Sequence, residues 1–148
     1  MAEIDLPQAE ADSLIAMEKH RINEDLLSFP RPGERLGVPL QSSDRRETFM
    51  LDVTRSSVKL TKANFQNRAR QVVILLRLDI DGAPHRNPDG TEVDCPHLHV
   101  YREGFGDKWA YPAPAELLPA SGSLYDALNL FMARCNITSA PNIQQGLF

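Results

Sequence analysis

The sequence predicts an α+β fold in which helices flank an antiparallel sheet. Apolar residues recur at helical spacing near both ends of the chain, and they alternate with polar residues in short runs in its middle. The strand-like runs follow one another without helices between them, which favours an antiparallel meander over a parallel α/β sheet. The expected order is an N-terminal helix or helices, four to five strands and a C-terminal helix, in a single domain over residues 1–148.

Helical patterns occur at both ends of the chain. The N-terminal pattern covers residues 7–27 and predicts one or two amphipathic helices, which the proline-rich segment 29–33 ends because proline cannot continue a helix. Near the C-terminus, Ser121 or Ser123 is expected to cap a second helical region. Its apolar face would consist of Leu124, Leu128, Phe131 and Met132. The tail after residue 135 has no clear pattern.

Alternating apolar and polar residues predict the strands of the sheet. The expected strands cover residues 47–53, 58–62, 68–80, 97–102 and 108–111. The third has the strongest pattern, with Val72, Ile74, Leu76, Leu78 and Ile80 on one face and Val73, Leu75, Arg77 and Asp79 on the other. Residues 81–96 hold three prolines and two glycines and are therefore expected to form a loop.

The charges of the chain are unevenly distributed. A net charge of −4 argues against a general nucleic-acid binder. Residues 31–77, however, carry ten basic and four acidic side chains, and both flanking segments are acidic. This central block either presents a phosphate-attracting face or consists of water-exposed arginines on strand faces. The candidate substrate-binding residues are Lys59, Arg68, Arg70 and, in the following loop, Arg86.

The sequence also predicts the compartment of the protein. No apolar run approaches the roughly 20 residues of a membrane helix, and the acidic N-terminus does not resemble a signal peptide. Cys95 and Cys135 are therefore expected to remain thiols. These features predict a cytoplasmic protein without a membrane partner.

A cluster of polar side chains is expected where two strands meet. His97 and His99 are two residues apart on one strand and share a face of it. Arg77 and Asp79 share a face of the preceding strand in the same way. Paired as a hairpin, the strands would bring together Arg77, Asp79, His97, His99 and Tyr101, with His85 reaching over from the loop.

A cluster of this composition suits RNA cleavage without a metal. His97 and His99 can act as general base and general acid, because histidine titrates near neutral pH. Arg77 can hold the phosphate through two hydrogen bonds, Asp79 can orient a histidine, and the two remaining side chains can assist. The sequence thus predicts a small metal-independent endoribonuclease of the toxin type, without a cofactor. RNA is its expected substrate, and an antitoxin or a host protein is its expected partner.

Two other functions remain open. His-x-His on a strand presents two imidazoles to one metal ion, and Asp79, His85, Asp94 or Glu103 could complete the ligand set. The spacing His97-x-His99-x₃-Glu103 resembles the first metal motif of cupins, although no histidine follows to supply their second motif. The third function is that of an interaction protein without catalysis, such as a phage-encoded inhibitor of a host defence system, whose acidic ends mimic nucleic acid.

Four motifs follow one another in the central half of the chain. They are LLRLDI (75–80), HRNPDG (85–90), PHLHVYREG (96–104) and KWAYP (108–112). In these motifs the segment 49–111 resembles a group of small bacterial and prophage proteins without an assigned activity. The order of a helical region and a meander more loosely resembles the RelE/barnase-like ribonucleases, which include bacterial toxins and work without metal. That likeness is one of architecture only, and it suggests ribonuclease activity by analogy, although the chain is acidic where such toxins are usually basic.

Overall fold

The computed structural model describes residues 5–146, in which two helices lie against a sheet of eight strands. The helices are α1 (Gln8–Ala16) and α2 (Leu124–Arg134), and a 3-10 turn covers Ala115–Leu117. The strands are β1 (Lys19–Arg21), β2 (Leu26–Ser28), β3 (Arg35–Ser42), β4 (Thr48–Arg55), β5 (Ala63–Ala69), β6 (Val73–Ile80), β7 (His85–Arg86), β8 (Glu92–Val93), β9 (His97–Val100), β10 (Ala110–Pro112), β11 (Ile137–Ser139) and β12 (Asn142–Gln144).

The main sheet is mostly antiparallel. Its strand order is β10-β9-β6-β5-β4-β3-β1-β11, and of its described pairs only β1 and β11 run parallel. Strands β3 to β6 form a meander, which β9 and β10 extend beyond the small β7–β8 hairpin. A parallel pair of β2 and β12 forms a third, separate sheet. Two helices and a mostly antiparallel sheet fit the predicted α+β class.

One face of the main sheet is apolar and lies under the helices. Phe65 of β5 contacts Phe131 of α2, with ring centroids 6.0 Å apart. The neighbouring strands add Leu51, Val53, Leu76 and Leu78, each at most 2% exposed. Burial of each such side chain contributes about 1.5–3 kcal/mol. A one-residue slip of register would move them into water, so this face also fixes which side chains lie on the opposite, polar face.

The N-terminal helical region is shorter than predicted. Helix α1 ends at Ala16, and the residues expected to continue it form β1 and β2. Lys19 of β1 pairs with Ser42 of β3 and with Ile137 of β11, so sheet hydrogen bonds replace those of a helix. The sequence prediction contained neither β3 nor β11. The helix expected over residues 17–27 was wrong because distant partners determine the structure of this segment.

The predicted strands 58–62 and 68–80 also differ from the structure. Residues 58–62 lie outside the strands, and β5 starts at Ala63. Arg70 and Gln71 both have positive φ angles, of 50° and 69°, and they turn the chain between β5 and β6. The single strand expected over 68–80 is therefore the end of one strand, a turn and the next strand. The sheet consequently has more than the four to five strands predicted.

A β-bulge changes the faces predicted for β6. The pairing of β5 with β6 shifts register within the strands, and Leu75 and Leu76 are both buried. Val73 is buried as well, although alternation placed it on the same face as Arg77 and Asp79. From Leu76 onward the predicted alternation agrees with the structure.

The C-terminal helix begins as predicted. The hydroxyl of Ser123 accepts a hydrogen bond from the backbone N–H of Asp126 and caps α2. Leu128 and Phe131 lie in the core, as the pattern indicated. Cys95 and Cys135 are both free thiols. Within residues 5–146, neither helix has the length and the apolar composition that a membrane crossing requires.

Candidate functional site

The pairing of β6 with β9 builds a cluster on the polar face of the sheet. Arg77 lies opposite His99, and Asp79 lies opposite His97. Side chains at directly opposite positions of antiparallel strands share a face and contact each other. The strand pairing predicted from the sequence therefore does bring these four side chains together.

Asp79 joins the two histidines. Its Oδ2 lies 3.1 Å from Nε2 of His97 and 3.1 Å from Nε2 of His99. The two imidazoles are almost fully buried, with 2% and 1% of their side chains exposed. We call Asp79, His97 and His99 the His–Asp cluster. One ligand-type atom from each of the three residues lies within 4.8 Å of the other two.

The carboxyl group of Asp79 is a fixed negative charge in this cluster. Burial acts to raise its pKa, but the hydrogen bond that His99 donates when its Nε2 carries a hydrogen, the hydrogen bonds from Arg77 and the charge of Arg77 outweigh burial. Together these contacts lower the pKa to about 2. The carboxylate is therefore ionised throughout the physiological range.

Arg77 bridges the carboxylates of Asp79 and Asp107. Its Nε donates to Asp79 Oδ1 at 3.0 Å, and its Nη1 donates to Asp107 Oδ2 at 3.0 Å. Its Nη2 lies 3.0 Å from Nε2 of His99 and 3.2 Å from Oδ2 of Asp79. One guanidinium thus faces two carboxylates. With neutral imidazoles the group has a net charge of about −1, which favours a further cation.

No single proton arrangement satisfies every neighbour of His99. Its Nδ1 lies 2.8 Å from the carbonyl oxygen of Asp107, which can only accept, so Nδ1 carries a hydrogen. In the neutral ring Nε2 then has a lone pair, which can accept from Arg77 but opposes the lone pairs of Asp79 Oδ2 at 3.1 Å. A hydrogen on Nε2 would instead oppose the Arg77 donor. A cation held between Nε2 and Oδ2 would be attracted to both.

Cys95 contacts the outer nitrogen of His97. Its Sγ lies 3.4 Å from Nδ1 of His97, and it is 4.0 Å from Nε2. Burial raises the pKa of the Cys95 thiol, which favours the S–H form. Nδ1 can accept from this thiol or donate to its sulfur, so the contact accommodates either tautomer of His97. Cys95 therefore orients the ring and leaves Nε2 directed toward Asp79.

His85 lies over the cluster, as the sequence predicted. Its ring centroid is 4.6 Å from that of His99 and 5.8 Å from that of His97. Its Nε2 donates to the carbonyl oxygen of Lys108 at 2.7 Å, so Nδ1 has the lone pair in the neutral ring. His85 is less buried than the two histidines below it. It is the histidine of this group that reaches toward solvent.

Asn87 anchors the loop that carries His85. Its side-chain amide donates to the carbonyl oxygen of Ala110 at 3.0 Å and accepts from the Ala110 N–H at 2.8 Å. The side chain is buried against β10. From the sequence, Asn-Pro indicated only a turn, and this anchor was not predicted. Asp107 was missed in the same way, because it lies in a glycine-rich turn whose conformation periodicity does not report.

Tyr101 does not belong to the cluster. Strand β9 ends at Val100, and the backbone N–H of Tyr101 donates to Leu75 at the bulge of β6. The tyrosine ring is buried, and its hydroxyl donates to the carbonyl oxygen of Leu6 at 2.8 Å. The prediction that Tyr101 continues the row of His97 was wrong, because the alternation of β9 does not continue past the bulge.

Two of the predicted metal ligands lie elsewhere. The carboxylate of Glu103 accepts the backbone N–H of Gln8 at 2.7 Å, at the start of α1. Asp94 is exposed at the end of the β7–β8 hairpin. Within the described part of the chain, the ligand-type group comprises Asp79 and the two strand histidines. The cupin-like spacing therefore does not assemble a site with Glu103.

The basic residues predicted to bind substrate all contact carboxylates. The ion pairs are Lys59 with Asp81, Arg68 with Asp52, Arg70 with Glu10 and Glu47, and Arg86 with Glu92. Arg68 shares the polar face with the cluster, where Gln66 lies between Asp52 and Arg77. A role of these four residues in substrate binding stays a prediction.

A cleft of about 380 Å³ opens beside the cluster. Its polar lining consists of Lys62, Asn64, Gln66, Arg77, Asp79 and Cys95. The Asp79 side chain is 23% exposed, whereas the histidines are buried. The cluster therefore reaches solvent through Asp79, on the side of the cleft.

The comparisons with known proteins place the chain in a family. A family model described as "Family of unknown function (DUF6978)" matches residues 6–137, and the chain belongs to this family. No curated protein and no solved structure matches it. The family agrees with the expected likeness to an uncharacterised group of small proteins. None of the comparisons shows similarity to the RelE/barnase-like ribonucleases.

Proposed function

We propose that the His–Asp cluster binds a divalent transition-metal ion, with Zn²⁺ as the best chemical match, and that the bound ion serves a reaction in the adjoining cleft. The observation that carries this proposal is the convergence of two buried imidazoles and one ionised carboxylate on one point. Histidine nitrogen and carboxylate oxygen are common zinc ligands. Catalytic zinc sites use three such ligands and keep a further position for water or substrate.

The distances support this proposal. Zinc lies about 2.0–2.2 Å from histidine nitrogen and carboxylate oxygen, so two ligands of one tetrahedral ion lie about 3–3.5 Å apart. Oδ2 of Asp79 is 3.1 Å from each imidazole Nε2. The carboxylate and each imidazole are therefore already at the spacing that one ion requires.

The outer nitrogens support it as well. Histidines that bind a metal through one ring nitrogen usually donate the other N–H to a carbonyl or carboxylate. His99 makes such a bond from Nδ1 to the carbonyl oxygen of Asp107. His97 has the Cys95 sulfur at the corresponding place. Both rings thus direct Nε2 toward Asp79.

Arg77 is the residue that metal binding would rearrange. Its Nη2 contacts Nε2 of His99 and Oδ2 of Asp79, the same two atoms that would bind the ion. The guanidinium and the metal therefore compete for these lone pairs. Arg77 can turn away from His99 and keep its bond to Asp107, which lies at the other end of the guanidinium.

The test of this proposal is the metal content of the protein. Wild type and a His97→Ala/His99→Ala variant would be purified without chelators or metal-binding tags and measured by inductively coupled plasma mass spectrometry. We expect about one equivalent of zinc in wild type and less than about a tenth of that in the variant, which lacks two of three ligands. His20→Ala is the matched control, since His20 contacts Ser43 and Ser139 away from the cluster. Wild type that contains no metal and binds no added zinc would contradict the proposal.

A metal-free ribonuclease is the second candidate function. It is favoured by His85, which is the more exposed histidine and whose Nδ1 has no partner within the described residues. General acid–base chemistry needs such an accessible imidazole, and Arg77 offers a cation for phosphate on the same face. His97 and His99 would then orient and support it, rather than reach the RNA themselves.

Cleavage of RNA by the purified protein separates the two candidates. Cleavage that persists in EDTA and is lost in His85→Ala supports the ribonuclease. Cleavage that EDTA abolishes and zinc restores supports the metal site. Inducible expression in cells tests the toxin hypothesis. Growth and RNA integrity would be followed for wild type and for the His97→Ala/His99→Ala variant. Normal growth with intact RNA and soluble wild-type protein would contradict it.

A further inference from the structure

We propose that the cleft beside the His–Asp cluster binds a phosphate group of the substrate between Lys62 and Arg77. The inference rests on the proposed metal site, because it places the substrate where the ion would meet solvent. We call this cavity the Lys62 cleft. Its volume of about 380 Å³ lies within the range of roughly 300–1,000 Å³ that is usual for small-molecule sites.

Lys62 stands at the wall of the cleft close to the cluster. A Cβ atom built on Gly82 would lie 3.5 Å from Cε of Lys62 and 3.7 Å from Sγ of Cys95. The lysine side chain and the cysteine therefore approach each other across Gly82. Because Cys95 contacts His97, the stem of Lys62 lies on the side of the cleft near the cluster, and the lysine remains exposed to solvent.

The ammonium of Lys62 has no ion-pair partner within the described chain. Its ammonium forms no hydrogen bond or ion pair with residues 5–146, and its charge acts on Asp81 only at longer range. Lys59, three residues earlier, is instead paired with that carboxylate at 2.7 Å. Lys62 is thus a cation with an open side that faces a polar cleft.

Neutral donors lie between the two cations of the cleft. Asn64 and Gln66 are alternate residues of β5, and they lie opposite Asp79 and Arg77. The Gln66 amide donates to Asp52, whereas the Asn64 side chain has no hydrogen bond within the described residues. Asn64 can therefore donate to a ligand in the cleft.

This arrangement suits phosphate better than carboxylate. A phosphate has three or four acceptor oxygens in a tetrahedron, which can bond an ammonium, an amide and a guanidinium at once. A planar carboxylate would be satisfied by the guanidinium alone. With a divalent ion bound, the charges of Arg77 and Lys62 and the ion outweigh those of Asp79 and Asp107 by about two units, which attracts a dianion.

Binding of inorganic phosphate by the zinc-loaded protein tests the inference. Equilibrium dialysis with labelled phosphate would compare wild type, Lys62→Ala and Lys59→Ala, with acetate as a second ligand. Loss of a charge-assisted hydrogen bond should weaken phosphate binding about tenfold or more in Lys62→Ala. Lys59→Ala is the matched control and should bind phosphate like wild type, since Lys59 is held by Asp81. Acetate should bind more weakly than phosphate, and all three proteins should bind zinc equally.

The outcomes separate this inference from the proposed function. Wild type that binds zinc but no phosphate, or a Lys62→Ala variant that binds phosphate like Lys59→Ala, overturns the inference and leaves the metal site standing. A protein that binds no zinc overturns the metal site. The same dialysis on the metal-free protein then shows whether the Lys62 cleft binds phosphate, and a lack of binding overturns the inference as well. Lys62-dependent phosphate binding in that arm would support the cleft under the ribonuclease function.

Discussion

Asp79 occupies the centre of the candidate site, where its carboxylate contacts two imidazoles and a guanidinium. A buried carboxylate is costly unless its charge is compensated. Arg77 supplies that compensation, but it also pairs with Asp107, so the net charge around Asp79 stays negative. Arg77 therefore stabilises the cluster without an ion, but it leaves a net negative charge that a further cation can compensate.

Replacement of Arg77 tests this balance. In Arg77→Gln the guanidinium no longer competes for His99 Nε2 and Asp79 Oδ2, and the negative charge around the cluster increases. Because a charged hydrogen bond contributes about 1.5–3 kcal/mol, we expect zinc to bind about tenfold tighter or more. Competition with a chromophoric chelator measures this affinity. Arg68→Gln is the matched control, since Arg68 lies on the same face but bonds to Asp52. Unchanged or weaker binding in Arg77→Gln would show that Arg77 does not compete with the ion.

Replacement of Tyr101 tests whether this residue belongs to the core, as in the structure, or to the cluster, as the sequence predicted. Its hydroxyl bonds both the N–H and the carbonyl oxygen of Leu6, which are buried. Tyr101→Phe leaves these two groups unpaired, so we expect the free energy of unfolding to fall by about 1–3 kcal/mol. Urea unfolding measures the loss, and Tyr111→Phe at an exposed position is the control. If Tyr101→Phe kept the stability of wild type but lost zinc binding, Tyr101 would instead belong to the candidate site.

At the scale of elements, the sequence predicted the half of the site that lies on regular strands. Leu76, Leu78 and Leu98 are all buried on one face of β6 and β9. Since side chains alternate along a strand, the residues between them had to share the other face. The sequence pattern therefore predicts which side chains share a face, whereas the register that places Arg77 opposite His99 comes from the structure. The position of Asp107 does not, because it depends on the conformation of a turn.

The rest of the fold depends on contacts that local patterns do not contain. Strand β1 is three residues long, and its partners β3 and β11 are distant in the sequence. A run of apolar residues at mixed spacing there fits a helix as well as a strand, and only pairing within the sheet decides between the two. The bulge of β6 is another such feature, since one extra residue reverses the alternation at Leu75 and Val73.

Lys19 links the ends of both helices and leads to a prediction about pH. Its buried ammonium donates to the carbonyl oxygens of Ile15, Met17 and Cys135 at 3.0, 2.9 and 2.7 Å. These carbonyls lie at the C-terminal ends of α1 and α2, where a cation is favourable. Burial nevertheless lowers the pKa of Lys19 to about 8 from its usual 10.5.

The unfolded chain therefore binds more protons than the native protein between these two pKa values, and stability should rise with pH there. Burial also raises the pKa of Cys135 to about 12, so above about pH 9 the thiol opposes this trend. We expect the free energy of unfolding to rise between about pH 8 and 9 in wild type and to stay flat in Lys19→Met. Urea unfolding at closely spaced pH values measures it. A rise of equal slope in the variant would exclude Lys19 as its origin.

At the scale of the whole molecule, the cluster connects parts of the chain that fold together only in the native state. Its three side chains come from β6 and β9, and the loop above them is anchored to β10 through Asn87. None of these contacts exists in an unfolded chain. An ion that binds the cluster should therefore bind the native protein far better than the unfolded one, and its binding free energy should stabilise the fold.

This coupling predicts a stability that depends on zinc concentration. For a single site, free zinc at 100 times its dissociation constant should raise the free energy of unfolding by about 2.7 kcal/mol, and each further tenfold increase should add about 1.4 kcal/mol. Urea unfolding followed by Trp109 fluorescence measures this in wild type and in His99→Ala, with Mg²⁺ as the control ion. Magnesium should have little effect, because it prefers oxygen ligands to imidazole. Equal stabilisation of His99→Ala by zinc would show that the ion binds elsewhere, since this variant lacks one of the three converging ligands.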